Sequence, residues 1–203
     1  MGDLTLQHVV LRIVALLLIA AVHGFSVSGL ACLLGDQGPR HDGRLSLSPF
    51  AHADPIGGLL LVLFAMGWIR PIAIDPARLR FGRAGLPVIV LGASAATLLL
   101  ALVTWSIRPF VLNLLPDTAS ATLFVAVETL TQLCLSFTFL NLLPCPPLTG
   151  LYWLIALRPG WRDAIARGQS WFIAPLSLFI VSGLAARSLA PGVSLFTRFL
   201  FGG

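Results

Sequence analysis

Charge is what this chain has least of. Only 10% of its 203 residues are charged, where soluble domains carry roughly a quarter, and 57% are hydrophobic. That balance excludes an ordinary soluble domain. Lysine is absent, glutamate occurs once (Glu128), and tyrosine once. The net charge of +5 is therefore all arginine. These arginines sit in short loops beside apolar runs, where they orient helices and meet anionic headgroups, so the charge does not point to nucleic acid. Three cysteines, Cys32, Cys134 and Cys145, are too few and too apolar in setting for a disulfide framework. A basic start and a small-x-small site are missing too; Asp3 stands near the beginning, so no cleavable leader is expected.

What is present is a series of apolar runs that reach or approach the roughly 20 residues needed to cross a bilayer as a helix. The pattern predicts an all-α membrane protein, a polytopic bundle of about five to six transmembrane segments, as one integral membrane domain over 1–203. The first span covers about 7–34, interrupted by Arg12 and His23. A Gly/Pro/Asp/Arg-rich loop follows over 35–54, in which Arg44-Leu45-Ser46-Leu47 alternates like a short strand. The run 56–69 is too brief to cross unaided and reads as tilted or re-entrant. After a basic loop come a span at 86–107, a loop at 109–119 and a span at 120–143 that holds Glu128. Gly92 and Ala96 have the spacing that lets helix backbones approach closely. A short run to Leu157, a basic stretch over 158–167 and a last span at 170–189 complete the core, with Pro175 as a kink. The tail 193–203 reads as interfacial. Counting arginines in the loops places the basic loops, and with them the N-terminus, in the cytoplasm.

One stretch carries polar residues that look placed. A zinc-protease helix would read H-E-x-x-H, two imidazoles one turn apart with a glutamate as base. Here the five positions are His23, Gly24, Phe25, Ser26 and Val27. Around them stand Gly35-Asp36, then Gly43-Arg44-Leu45-Ser46-Leu47-Ser48-Pro49, then His52-Ala53-Asp54-Pro55-Ile56-Gly57. Gly67-Trp68-Ile69-Arg70-Pro71-Ile72 and Asn141-Leu142-Leu143-Pro144-Cys145-Pro146-Pro147-Leu148-Thr149-Gly150 follow. In this order, over about 15–150, the motifs resemble those of the site-2 proteases, intramembrane zinc metalloproteases. The resemblance implies that the family's zinc ligands fall at His23, Val27 and Thr149, and its base at Gly24. It also implies that the proline-rich turn helps receive an extended substrate segment.

Catalytic zinc takes three protein ligands and leaves a position for water. Valine offers no lone pair, and a threonine hydroxyl is a poor ligand. The expectation is a chain without zinc or other cofactor, not an enzyme. It would act as an accessory subunit, scaffold or assembly factor of a larger membrane complex, a respiratory or photosynthetic one being a natural host. Its partners are then other integral membrane subunits and lipids, met through Asn141, Pro144, Pro146, Pro147, Gly92, Ala96 and Glu128. The rival is a metallopeptidase with a rearranged metal site drawn from His23, His52, Asp54 and Cys145. His52 and Asp54 also read as braces of their loop, Cys145 as a small hydrophobe, and His23 as a neutral remnant. For Glu128, Arg108, Arg187 or another subunit are conceivable partners.

Overall fold

A computed structural model describes residues 5–114 and 117–201. Its helices are α1 (Leu6–Leu33), α2 (Gly38–His41), α3 (Pro55–Phe64), α4 (Gly85–Leu114), α5 (Asp117–Asn141), α6 (Leu151–Leu157), α7 (Arg162–Val181) and α8 (Leu184–Phe201). Among the described residues no strand occurs. Three helical stretches are long and apolar enough to cross a membrane: Leu6–Leu33, Gly82–Phe110 and Ala121–Asn141. Ser170–Val181 and Leu184–Leu200, bent by 71°, make a fourth if taken as one span. Among the described residues the count is thus three or four by length and composition, where the apolar runs alone suggested five to six.

Local chemistry sets the helix ends. Thr5 caps α1, its side chain accepting from the His8 backbone N–H. Asp54 caps α3 in the same way through Gly57 N–H at 2.7 Å, and Pro55 fills the first helical position. α1 stops at Gly35, whose φ of +117° and whose approach to the Arg78 carbonyl (2.7 Å from where a Cβ would sit) leave no room for a side chain.

The stretch between α1 and α4 turns back on itself. Leu45 lies beside Gly29, His52 beside Gly24, and Gly58 beside Leu16. The Arg12 guanidinium then donates to the carbonyls of Val62 and Leu63 at the end of α3. From there an extended run climbs back, until Asp75 N–H donates to Asp36 and Arg80 N–H to the Leu34 carbonyl. Residues 35–84 therefore enter and leave at one end of α1 without crossing. α4 descends beside α1, with Gly92 against Leu30 and Thr97 bonded to His23. α5 returns to bring Phe137 against His23. α6 carries the chain to the same end, where Arg162 meets Asp75 at 3.2 Å.

Several expectations are corrected here. Arg44–Leu47 is not a strand: the Arg44 guanidinium folds inward onto the carbonyls of Ala51, Arg70 and Pro71, and the segment bends around it. The expected loop at 109–119 is helical through Leu114 and again from Asp117, with Pro109 inside α4; Pro116 lies outside the described residues. The last span does not run straight over 170–189, because Gly183 (φ +75°) breaks it between α7 and α8. The basic loops gather at the end of α1 away from the N-terminus. A 28-residue helix is about 42 Å long, and Arg78, Arg80, Arg83, Arg158 and Arg162 gather at its far end.

Candidate functional site

His23 is fully buried one-third of the way down from the basic end, with Phe137 edge-on to its ring at 5.0 Å. Both its nitrogens are engaged. Nδ1 lies 2.9 Å from Thr97 Oγ1, and Nε2 2.9 Å from Thr149 Oγ1. The Thr97 hydroxyl donates to the Ala93 carbonyl at 3.0 Å, so toward His23 it can only accept. With the Thr97 hydroxyl turned to Ala93, the tautomer protonated on Nδ1 would leave Nε2 to accept from the Thr149 hydroxyl. The result is one chain of contacts, Thr149 to His23 to Thr97 to the Ala93 carbonyl.

Gly24 is where His52 packs. A Cβ on Gly24 would stand 2.2 Å from the His52 ring, so the imidazole fills the space a longer side chain would need. His52 is itself buried; Nε2 donates to the Ser46 carbonyl at 2.8 Å while Nδ1 has no partner among the described residues. Burial lowers the His52 pKa below its ordinary value.

The proline-rich turn is pinned from both sides. Asn141 donates to the Gly67 and Phe137 carbonyls at 3.1 and 2.9 Å, and its own carbonyl accepts from Gly150 N–H at 2.7 Å. Pro146 and Pro147 are buried and joined by a cis peptide, while Pro144 faces outward. Thr149, half-buried, reaches a cavity of about 20 Å³ lined also by Val27, Arg70, Pro71, Ile72, Pro147 and Tyr152. A wider groove of about 260 Å³ continues from it along Pro71–Ile74, α6 and Ile165. Tyr152 holds this wall by donating to the Ile72 carbonyl.

The other candidates lie apart. Gly92 packs on Leu30, and Ala96 is half-buried on the same helix. Glu128 lies thirteen residues before Asn141 on α5, about 20 Å away along the axis. Its Oε1 accepts from Gln132 at 3.4 Å. Arg108, one of the conceivable partners named above, instead lies over the rings of Trp105 and Phe124. Thr97 was missed by sequence reasoning; its one signal was a hydroxyl directly after the small-residue run 92–96.

Zinc does not fit these residues. His23 has both nitrogens committed to threonines, Asp54 caps α3, and the Cys145 thiol donates to the Pro146 carbonyl. Among the described residues no three His, Cys, Asp or Glu side chains gather closely enough to hold an ion.

No protein-family model matches the chain, and no solved structure does. It is 28% identical over 179 residues to a protein of Bacillus subtilis strain 168 named "Putative zinc metalloprotease YwhC". The match covers 83% of this chain and 79% of the relative, and is consistent with a site-2-protease-like family. This finding overturns the expectation that the chain is not an enzyme, because the relative's name points to a protease.

Proposed function

We propose that this chain is a site-2-protease-like protein of the bacterial inner membrane that binds transmembrane segments of other integral membrane proteins. The groove along Pro71–Ile74, which shares Ile72 and Tyr152 with the small cavity at Thr149, carries this reading. One wall is the extended run Pro71–Ile74, in which Ile72 and Ile74 are buried and Ala73 is exposed. The backbone N–H groups of Ile72, Ala73 and Ile74 donate to no acceptor among the described residues. Such an edge can pair with an unwound stretch of partner backbone. The opposite wall is α6 with Ile165, and Arg162 also lines the groove. Held there, a partner segment is placed for assembly into a larger complex. The gathering of arginines at the far end of α1 supports placing that end in the cytoplasm and the N-terminus on the other side.

A photo-cross-linking residue at Ala73 tests the groove in native membranes, with one at the outward-facing Leu178 as control. Adducts from Ala73 are expected to map to a transmembrane segment of a partner, and those from Leu178 to lipid. Equal partner adducts from both positions, or lipid alone from Ala73, would overturn the reading. Alkylation of Arg83→Cys by an impermeant reagent checks the orientation: intact cells should leave it unreacted.

A further inference from the structure

We propose that the cavity between the start of α4 and the start of α7 binds the phosphate headgroup of an anionic phospholipid. The cavity has a volume of about 490 Å³, and its lining includes Asp75, Arg83, Ile155, Pro159, Gly160 and Arg162. Small-ligand sites fall in this range, roughly 300–1,000 Å³. It adjoins the groove along Pro71–Ile74, sharing Ile155 and Arg162 with it. It stands without the partner reading of that groove, because charge is what recognises its ligand.

Three observations carry the site. The first is its charge. Asp75 is matched twice, by Arg162 at 3.2 Å and by Arg78 at 3.5 Å. Asp36 nearby is spent on the backbone N–H groups of Gly38 and Asp75. Arg83 forms no ion pair among the described residues, so a whole guanidinium is left for a ligand. Its planar donors match phosphate oxygens two at a time. The second observation is depth. Gly82 and Arg83 open the apolar stretch Gly82–Phe110, and the first residues of a span lie among the headgroups. The third is the rim. Phe81, Leu157 and Trp161 stand next to lining residues in the chain and are 59%, 75% and 51% exposed. Aromatic side chains of this kind settle at the membrane–water interface, where they can cover the glycerol and first acyl carbons of a bound lipid. A cationic floor under an apolar rim suits an amphipathic phosphate. A water-soluble one would leave the rim bare.

Native mass spectrometry of the detergent-solubilised full chain tests the site, with phosphatidylglycerol titrated against phosphatidylcholine. One phosphatidylglycerol should be retained in preference to phosphatidylcholine. Arg83→Gln should weaken it about tenfold, the loss of one charge-assisted contact. Arg40→Gln removes an exposed charge at the same end of α1, outside the cavity, and should leave retention unchanged. At Gly160 a Cβ meets open space, so Gly160→Asp adds a repelling carboxylate without crowding; it should abolish the preference, and Gly160→Ala should keep it. Thermal midpoints without added lipid check that each variant is folded. Trp161→Ala should also weaken the lipid, and an excess of inorganic phosphate should not displace it. Equal losses in Arg83→Gln and Arg40→Gln would mean diffuse attraction only and overturn the site. So would retention without preference, or retention that survives Gly160→Asp. Full displacement by inorganic phosphate would assign the cavity to a soluble phosphate and overturn the lipid.

Discussion

His23 and Glu128 are both ionisable side chains set in long apolar helices, and the fold surrounds them differently. Around His23 every polar atom has a partner, and the partners have partners of their own, ending on a backbone carbonyl. Around Glu128 the bonding stops at one long contact from Gln132, and Oε2 is buried with no partner among the described residues. The backbone differs in the same sense. Near His23 the chain is broken into short helices, an extended run and a proline turn, pinned by Asn141, Arg44 and Tyr152. Near Glu128 two long helices simply lie together. Irregular backbone at membrane depth is tolerated where it is enclosed by protein, and this chain concentrates its polar bonds where it has irregular backbone to enclose.

The comparison can be broken from its strongest side first. A Cβ on Gly67 would lie 2.0 Å from the Gly57 carbonyl oxygen, and one on Gly57 2.3 Å from that of Trp68. Backbone cannot step aside as a side-chain tip can. Gly67→Ala is therefore expected to cost about 3 kcal/mol or more, read as loss of monodisperse protein and a lowered thermal midpoint in detergent. Next, His23→Leu leaves the Thr149 hydroxyl without its acceptor and should cost about 1–3 kcal/mol, measured in the same way.

Asp54→Ala removes the cap of α3 and should cost about 1 kcal/mol, with slackening of the re-entrant segment visible as faster hydrogen exchange over 55–64. Glu128→Leu, by contrast, is expected within about 0.5 kcal/mol of the parent; a loss as large as that of His23→Leu would end the contrast between the two sites. The smallest effect concerns pH. The folded state holds the His52 pKa below its ordinary value, so the unfolded chain takes up the proton first. Stability should then be full above about pH 6.5 and decline as pH falls below it. A thermal-midpoint titration flattened by His52→Asn would confirm the source.

Much of this was legible residue by residue. The long spans follow from apolar length, since a bilayer admits little else. The caps at Thr5 and Asp54 are local chemistry. The motifs flagged at His23, His52, Gly67 and Asn141–Gly150 do converge, because each pairs a small or backbone-bonding residue with a turn. What could not be read was which hydroxyl meets which nitrogen: Thr97 is 74 residues from His23 and Thr149 is 126. The end of α1 at which the basic loops gather was hidden for the same reason.

By itself, then, the sequence determined that the chain lives in a membrane, where it turns, and which residues lack the chemistry of a zinc ligand, because hydropathy, helix capping and donor type are properties of single residues and near neighbours. Only the tertiary structure decided that residues 35–84 return to the end they entered, that His52 fills the space over Gly24, and that His23 lies between the hydroxyls of Thr97 and Thr149. Each of these depends on a contact between distant segments, and such contacts exist only once the helices have packed.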